Sequence, residues 1–547
     1  MVKTHRVLLP AVVLATTATA QTANRRPTLT ETLHAHNDTL STLNNYIQTQ
    51  QSLFATINQT SDITILAPSN DALDGLFSNS AIMDDFNSDP ELVEAFWNYH
   101  VLRGVWYTSN LTAGTGTGTS VSAKKRRRRR KRDGNDVIDD SGIDGNSLFI
   151  PTLLSPDITP YANVSGGQRV IARSSYSSSS DGGSDGEPVV SFYSGTTGSG
   201  GSQKITKSTI THANFNFSGG TIHIIDHLLS LPSRLNDTLA SFGPSSSSSS
   251  SSTNENEDDS SSSGNNLSGL SLTASVGALS RANLTDLFNT QQDITMFVPS
   301  NEAWDRVGSV VSNMDEDELA DIMGYHVLKV QGTTSGKVFY SDLLEGIGGT
   351  GTGSDSSSDG DVGVTGSEKE DGQEIEKDYE TVEGGTVKVR VVDGSTSSKG
   401  DLTNSEDDDT SGSEKQVFVN GARVVKSDVL VENGVVHVVD GVLNPNNSTA
   451  TPILTASAEP VAWEGATTTN SVPFTSGVQA PTTSLGGNGG TSSVVTITST
   501  ITEGGPSPPA ATPASEAAGK SGAARNTVTV AVGMVLLWGG ACVFANL

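Results

Sequence analysis

The sequence predicts a protein in which strands and helices mix within one folding unit, and that unit is written twice in tandem. Three observations carry this. A β-branched run that stops at a proline and turns into a capped helix occurs at Asp62–Leu73 (DITILAPSNDAL) and again at Asp293–Trp304 (DITMFVPSNEAW). A Tyr-His pair follows each, Tyr99-His100 and Tyr325-His326, and a second β-branched run closes each, Thr221–Ile225 and Val435–Val439. Asp293 lies 231 residues after Asp62, His326 lies 226 after His100, and His437 lies 214 after His223. That drift is what one duplicated unit with loops of unequal length produces.

The corner has a physical logic. Ile63-Thr64-Ile65 and Ile294-Thr295-Met296 alternate as a half-buried strand does. Pro68 or Pro299 ends the run, because proline cannot donate to a continuing ladder. Ser69-Asn70-Asp71 and Ser300-Asn301-Glu302 then supply a capping oxygen and a negative charge for a helix N-terminus.

These three boxes resemble the fasciclin domain. APSNDAL and VPSNEAW resemble its first signature box, the Tyr-His pairs its central motif, and IHIID and VHVVD its closing box. The resemblance spans roughly residues 26–445. It implies an α+β fold: two tandem fasciclin-like domains, each a β-strand wedge or sandwich with helices packed on it, joined by disordered Ser/Gly-rich segments. It also implies a non-enzymatic role in cell-surface adhesion. Tyr99, His100, Tyr325 and His326 are then candidate contact residues, since in some relatives that motif contributes to receptor binding. Packing of the same four side chains into the core is the competing reading.

Along the chain, residues 1–20 read as a secretory signal: basic Lys3 and Arg6, an apolar Val7–Ala15, and a small-x-small Ala18-Thr19-Ala20. The first domain is expected over 26–235, opening with one or two amphipathic helices that carry Leu29, Leu33, Leu40, Leu43, Ile47, Leu53 and Phe54. Ser88-Asp89-Pro90-Glu91 reads as a capping box with proline at the first helical position, starting the helix that delivers Tyr99-His100. Glu318–Tyr325 does the same in the second domain, 266–445. Its closing strands are separated by Asn420-Gly421 and Asn433-Gly434, a hairpin signal. Loop insertions are expected near 113–145 and 174–200 in the first domain. In the second, acidic Gly/Ser insertions fall near 346–380 and 395–413, too poor in apolar surface to order themselves. Residues 244–265 read as a Ser-rich linker, and 446–526 as a Ser/Thr/Pro-rich stalk that contains the anchor-attachment region.

Residues 527–547 are apolar and uncharged. Behind a polar spacer with the small residues Ala517, Gly519, Ser521 and Gly522, they match a signal for glycosylphosphatidylinositol attachment. A membrane span is the alternative, although no Lys or Arg follows to mark a cytoplasmic end. The one cysteine, Cys542, lies in this tail and excludes an intrachain disulfide.

The formal charge is −28, and the nine consecutive basic residues Lys124–Arg132 leave −37 on the remainder. Such a surplus argues against nucleic acid as a partner. Three readings of the basic run stay open: a solvated loop, a site for acidic glycans or anionic wall polymers, or a protease site after Lys131-Arg132. Only 34% of residues are hydrophobic, so much of the chain is linker or loop.

Ten N-x-S/T sequons stand at Asn37, Asn58, Asn110, Asn163, Asn216, Asn236, Asn266, Asn283, Asn446 and Asn447. The His34-x-His36 and His223-x₃-His227 pairs have the spacing nearest to a metal site. On a strand, however, four residues span about 13 Å, beyond two ligands on one ion at about 2 Å. Buried histidines bonded to backbone are the expectation. Asp226 and Asp440 fall in separate copies, where each caps the next turn. No nucleophile elbow or phosphate loop is recognised, and neither enzyme activity nor a cofactor is expected. The partners expected are matrix or cell-wall components or other surface proteins, the membrane through a lipid anchor, and weak self-association. A structural cell-wall glycoprotein, or an anchored wall-modifying enzyme, are the alternatives.

Overall fold

The computed structural model describes residues 25–49, 54, 57, 59–112, 147–157, 159–176, 188–197, 204–243, 270–329, 338–344, 375–393, 415–453, 461–469 and 471–478. Strands of the first copy are β1 (Ile63–Pro68), β2 (Val101–Arg103), β3 (Leu148–Pro151), β4 (Arg169–Tyr176), β5 (Pro188–Thr197), β6 (Lys204–Phe217) and β7 (Gly220–Ile225). They form one sheet in the order β2-β1-β7-β6-β5-β4-β3. The second copy has β8 (Ile294–Pro299), β9 (Ile375–Glu380), β10 (Thr386–Asp393), β11 (Lys415–Val419), β12 (Ala422–Val431) and β13 (Gly434–Val439), ordered β8-β13-β12-β11-β10-β9. The place of β2 is taken there by a single bridge between Met296 and Val327.

In each sheet the two signature runs are neighbours. β1 pairs parallel with β7 from Ile63–Gly220 to Pro68–Ile225, and β8 pairs parallel with β13 from Ile294–Gly434 to Pro299–Val439. Alternation predicted one wet face for these strands, yet all six residues of each are buried. Strands that pair parallel are covered on both faces, and this holds for β8 although it is the end strand of its sheet. The polar positions are satisfied internally: Thr64 Oγ1 donates to Gly104 O at 2.8 Å and accepts from Trp106 N–H at 2.8 Å.

The proline-to-helix corner folds as predicted. Ser69 and Ser300 cap their helices by accepting from Ala72 N–H at 3.3 Å and Ala303 N–H at 3.2 Å. The leading region contains two helices, Leu29–Ala35 and Asn37–Thr49. Asp89 alone caps Pro90–Tyr99, because Ser88 ends the preceding helix Ser80–Ser88 and is not part of a capping box. In the second copy Asp315 and Glu318 do form the box, before Glu316–Tyr325. Ile63 and Ile224 lie in one core, and Ile294 and Val438 in another, as two matching bodies require.

Three expectations are corrected. The stretch 174–200 is not all loop, since β5 and the end of β4 fall in it, and β9 falls in 346–380. The presumed stalk does not begin at 446: residues 461–469 and 471–478 lie against the second copy, with Trp463 and Phe474 packed on its core. Nor does each copy close a wholly private interior. Val164, Ile171, Tyr193 and Ile205 of the first copy join the second copy's core, together with Leu235, Leu239 and Phe242.

That seam is also hydrogen-bonded. Gln168 Nε2 donates to Val431 O at 2.7 Å, Asn163 N–H to Glu432 O at 2.9 Å, and Ser165 N–H to Asp293 Oδ1 at 2.6 Å. The Phe149 and Tyr340 rings stack across it with centroids 4.8 Å apart. Glu432 projects into the seam 3.7 Å from Arg234. Burial pushes its carboxyl up to about 7; Arg234 opposes the rise and Asp237 adds to it.

Two outcomes are expected. A Cβ on Gly434 would sit 1.9 Å from Ile294 O, so Gly434→Ala lowers stability by at least about 1 kcal/mol in a denaturant melt. A carboxyl with a raised pKa is harmless below its unfolded value and destabilises as pH climbs through the folded one. Glu432→Gln therefore raises Tm at pH 8 and changes it little at pH 5.

Candidate functional site

The Tyr-His pair is placed by the last turn of a helix running into the sheet. Tyr99 ends Pro90–Tyr99 and His100 caps it; Tyr325 and His326 do the same for Glu316–Tyr325. All four are inside: Tyr99, Tyr325 and His326 are 0% exposed and His100 1%.

Each histidine bridges two main-chain groups. His100 Nδ1–H donates to Phe96 O at 2.8 Å, and its Nε2 accepts from Leu229 N–H at 3.0 Å. His326 repeats this with Ile322 O at 2.8 Å and Leu443 N–H at 3.0 Å. One nitrogen must carry hydrogen and the other must not, so both rings are neutral. Burial holds both pKa values down at about 4, against a weaker upward pull from the Phe96 and Ile322 carbonyls. The tyrosines reach backbone as well, Tyr99 Oη–H donating to Arg169 O at 3.0 Å and Tyr325 Oη–H to Thr386 O at 2.7 Å.

The closing-box histidines use the other tautomer. His223 Nε2–H donates to Trp106 O at 2.7 Å and His437 Nε2–H to Phe339 O at 2.9 Å. Their Nδ1 atoms accept from Asn214 N–H at 3.3 Å and Asp428 N–H at 3.4 Å, two residues with positive φ (64° and 59°). Burial lowers both pKa values. His227 does not join His223, standing exposed beside Asp226 at 3.0 Å. His34 is exposed, whereas His36 packs its ring on Phe215 at 3.8 Å. Among the described residues no three His, Cys, Asp or Glu side chains gather to hold a metal.

Asp226 and Asp440 do not cap a following turn. Their Oδ1 atoms accept from Thr209 N–H at 2.6 Å and Arg423 N–H at 2.7 Å, pinning the closing strand to the long strand beside it. Sequence reasoning also missed the asparagine of each signature box. Asn70 clamps the leading helix through Thr42 N–H at 2.9 Å and Asp38 O at 3.1 Å. Asn301 does so through Ala274 N–H, Ser271 Oγ and Thr273 Oγ1, each at 2.9 Å. Their presence at the same place in both boxes was the available signal.

Of the sequon asparagines, Asn37, Asn110, Asn216, Asn283 and Asn446 are exposed, while Asn447 is half-buried. Asn163 is half-buried with Nδ2 donating to Thr290 O at 2.9 Å, and Asn236 is buried at 7%. Asn58, Asn266, Lys131, Arg132, Ala517, Gly519, Ser521 and Gly522 lie outside the described residues, as do the expected signal, linker and tail.

The neutral bridges make the fold acid-sensitive. Unfolded histidine takes its proton near pH 6.5 and the folded ring only near 4, so stability is intact above 6.5 and falls as pH drops between the two. The slope is about 1.4 kcal/mol per pH unit for each histidine. His326→Phe is expected to lower Tm at pH 7, since Leu443 N–H loses its acceptor, while flattening the decline toward pH 4. A decline of unchanged slope would contradict the assigned protonation.

The fasciclin domain model matches residues 38–147 and 270–445. The first match stops at residue 147, just past the first insertion and before β3, although β3 to β7 complete that copy further on. A fasciclin-like arabinogalactan protein of Arthroderma benhamiae is 28% identical over 290 residues, 52% of this chain and 49% of the relative. The fasciclin-like arabinogalactan protein CTB11 of Cercospora beticola is 20% identical over 251 residues, 46% of this chain and 45% of the relative. The match thus spans about half the length of each of these relatives. The fasciclin-like arabinogalactan protein elcF of Phaeosphaeria nodorum is 23% identical over 413 residues, 75% of this chain and 87% of the relative. A solved FAS1 domain pair from the insect cell adhesion molecule fasciclin I is 16% identical with a TM-score of 0.24, covering 75% of this chain and 98% of that one. With both signature boxes matched and the same sheet order built in each copy, the chain belongs to the fasciclin domain family.

Proposed function

We propose that the chain is a secreted, glycosylated and lipid-anchored protein of the cell surface or wall. Its tandem fasciclin domains would act there as a non-enzymatic adhesion module. Partners of this reading are cell-wall or matrix components or other surface proteins, with weak self-association between copies. The fungal fasciclin-like arabinogalactan relatives support the surface or wall setting.

One observation carries the non-enzymatic part. His100, His223, His326 and His437 each spend both ring nitrogens on main-chain bonds in the interior. That leaves these four histidines with no ring nitrogen to offer a substrate. Recognition then falls to the outer surface and its glycans, with the exposed Asn37, Asn110, Asn216, Asn283 and Asn446 as the favoured attachment points.

The anchor is tested by treating intact cells that display the tagged chain with phosphatidylinositol-specific phospholipase C. Release into the medium is the expected result. Retention in membranes of a chain that keeps residues 527–547 would remove the anchor. Deletion of the chain should weaken attachment of cells to wall or matrix surfaces, and unchanged attachment would remove adhesion. Glycopeptide mapping should find glycan on the exposed sequons and none on Asn236.

A further inference from the structure

Residues 461–469 and 471–478 cross the second copy as an irregular strap, with no helix or strand among the described residues. Ala462 O accepts from Asn444 Nδ2 at 3.0 Å and Asn447 Nδ2 at 3.2 Å, and Trp463 Nε1–H donates to Val442 O at 3.1 Å. Further on, Ser309 N–H donates to Thr467 O at 3.1 Å while Thr467 N–H donates to Ser309 Oγ at 2.9 Å. Phe474 then stands edge-on to Trp304 at 5.4 Å, with the Arg281 guanidinium over its ring at 5.6 Å.

The surface beneath is shaped to this segment. A Cβ on Gly277 would meet Phe474 O at 1.7 Å, and one on Gly308 would meet Thr469 Oγ1 at 2.4 Å. The first copy cannot take such a strap. Aligned on the Asn70 and Asn301 clamps, it has Asn45 where the second has Gly277, and Phe77 where the second has Gly308.

We infer that the strap is a force-released clasp: tension arriving from the C-terminal side peels it off the second copy before either sheet opens. Pulled from Val478, the contacts at Phe474, Thr467 and Trp463 are loaded one after another. In β8 and β13, by contrast, six paired positions share a load along the strands. Contacts few in number and near the surface open locally at the least free energy. Release lengthens the chain by up to about 60 Å, at about 3.3–3.6 Å per residue, and uncovers the Trp304 side of the helical face. The inference rests on the reading of the protein as tethered through its C-terminal region. Force applied directly in the instrument tests the clasp whether or not the cell uses that tether.

The test is optical-trap extension of the chain held at its two ends. Wild type should show a first reversible step of no more than about 60 Å at a force below that of sheet unfolding. In the chain carrying Phe474→Ala and Trp463→Ala, that step should vanish while the later unfolding events keep their forces. Hydrogen exchange at zero force supplies a second reading: Ser309 and Thr467 amides should exchange faster in the variant, with Val438 unchanged. A wild-type trace whose first event is already the loss of a whole sheet overturns the clasp, as does a step that survives both substitutions.

Discussion

Each copy is shut by a neutral imidazole that accepts a main-chain N–H from far along the chain. His100 takes the Leu229 amide 129 residues on, and His326 takes the Leu443 amide 117 residues on. The ring sits where the helix meets the sheet, so one side chain ties helix end, strand start and the exit of the closing strand together. A long loop closure is costly in entropy, but the cost grows only slowly with length. Once the histidine, the parallel strand pair and the Asp226 or Asp440 bond are in place, the sequence between them is free to expand. This accounts for a fold that accepts a run of nine basic residues in one copy and acidic Gly/Ser tracts in the other.

The corner, the boxes and their duplication were legible because each rests on local chemistry: β-branched alternation, proline as a stop, serine as a cap. The inward role of His223 and His437 followed from their place on apolar strands. What escaped was set by neighbours rather than by local preference. β5 carries Ser191, Ser194, Gly195, Thr196 and Thr197, a composition that reads as loop. Yet Val190, Phe192 and Tyr193 turn inward, and Ser191 Oγ and Thr209 Oγ1 hydrogen-bond each other at 3.2 Å. The strap escaped for the same reason, since its Ser, Thr and Pro content matches that of the sequence after it. Trp463 and Phe474 were the apolar signals within it.

Asparagine and aspartate carry more of the architecture than sequence patterning assigned to them. Asn70 and Asn301 fasten the leading helix, Asp226 and Asp440 fasten the closing strand, and Asn214 and Asp428 offer the amide that fixes a histidine tautomer. Such side chains mimic backbone and tolerate positive φ, which makes them suited to joints between elements. Their chemistry is spent on geometry, and the polarity of the boxes is structural in origin.

The seam has a consequence for descent. Val164, Ile171, Tyr193 and Ile205 close the neighbouring copy's core, and Gln168 reads the carbonyl of Val431. A half inherited alone would carry an uncovered apolar scar, and a half exchanged with another lineage would meet a partner not cut to fit it. In this chain the pair, and not the single copy, is thus the smallest stretch that closes the second core, so the pair is the portion that descent has to keep whole.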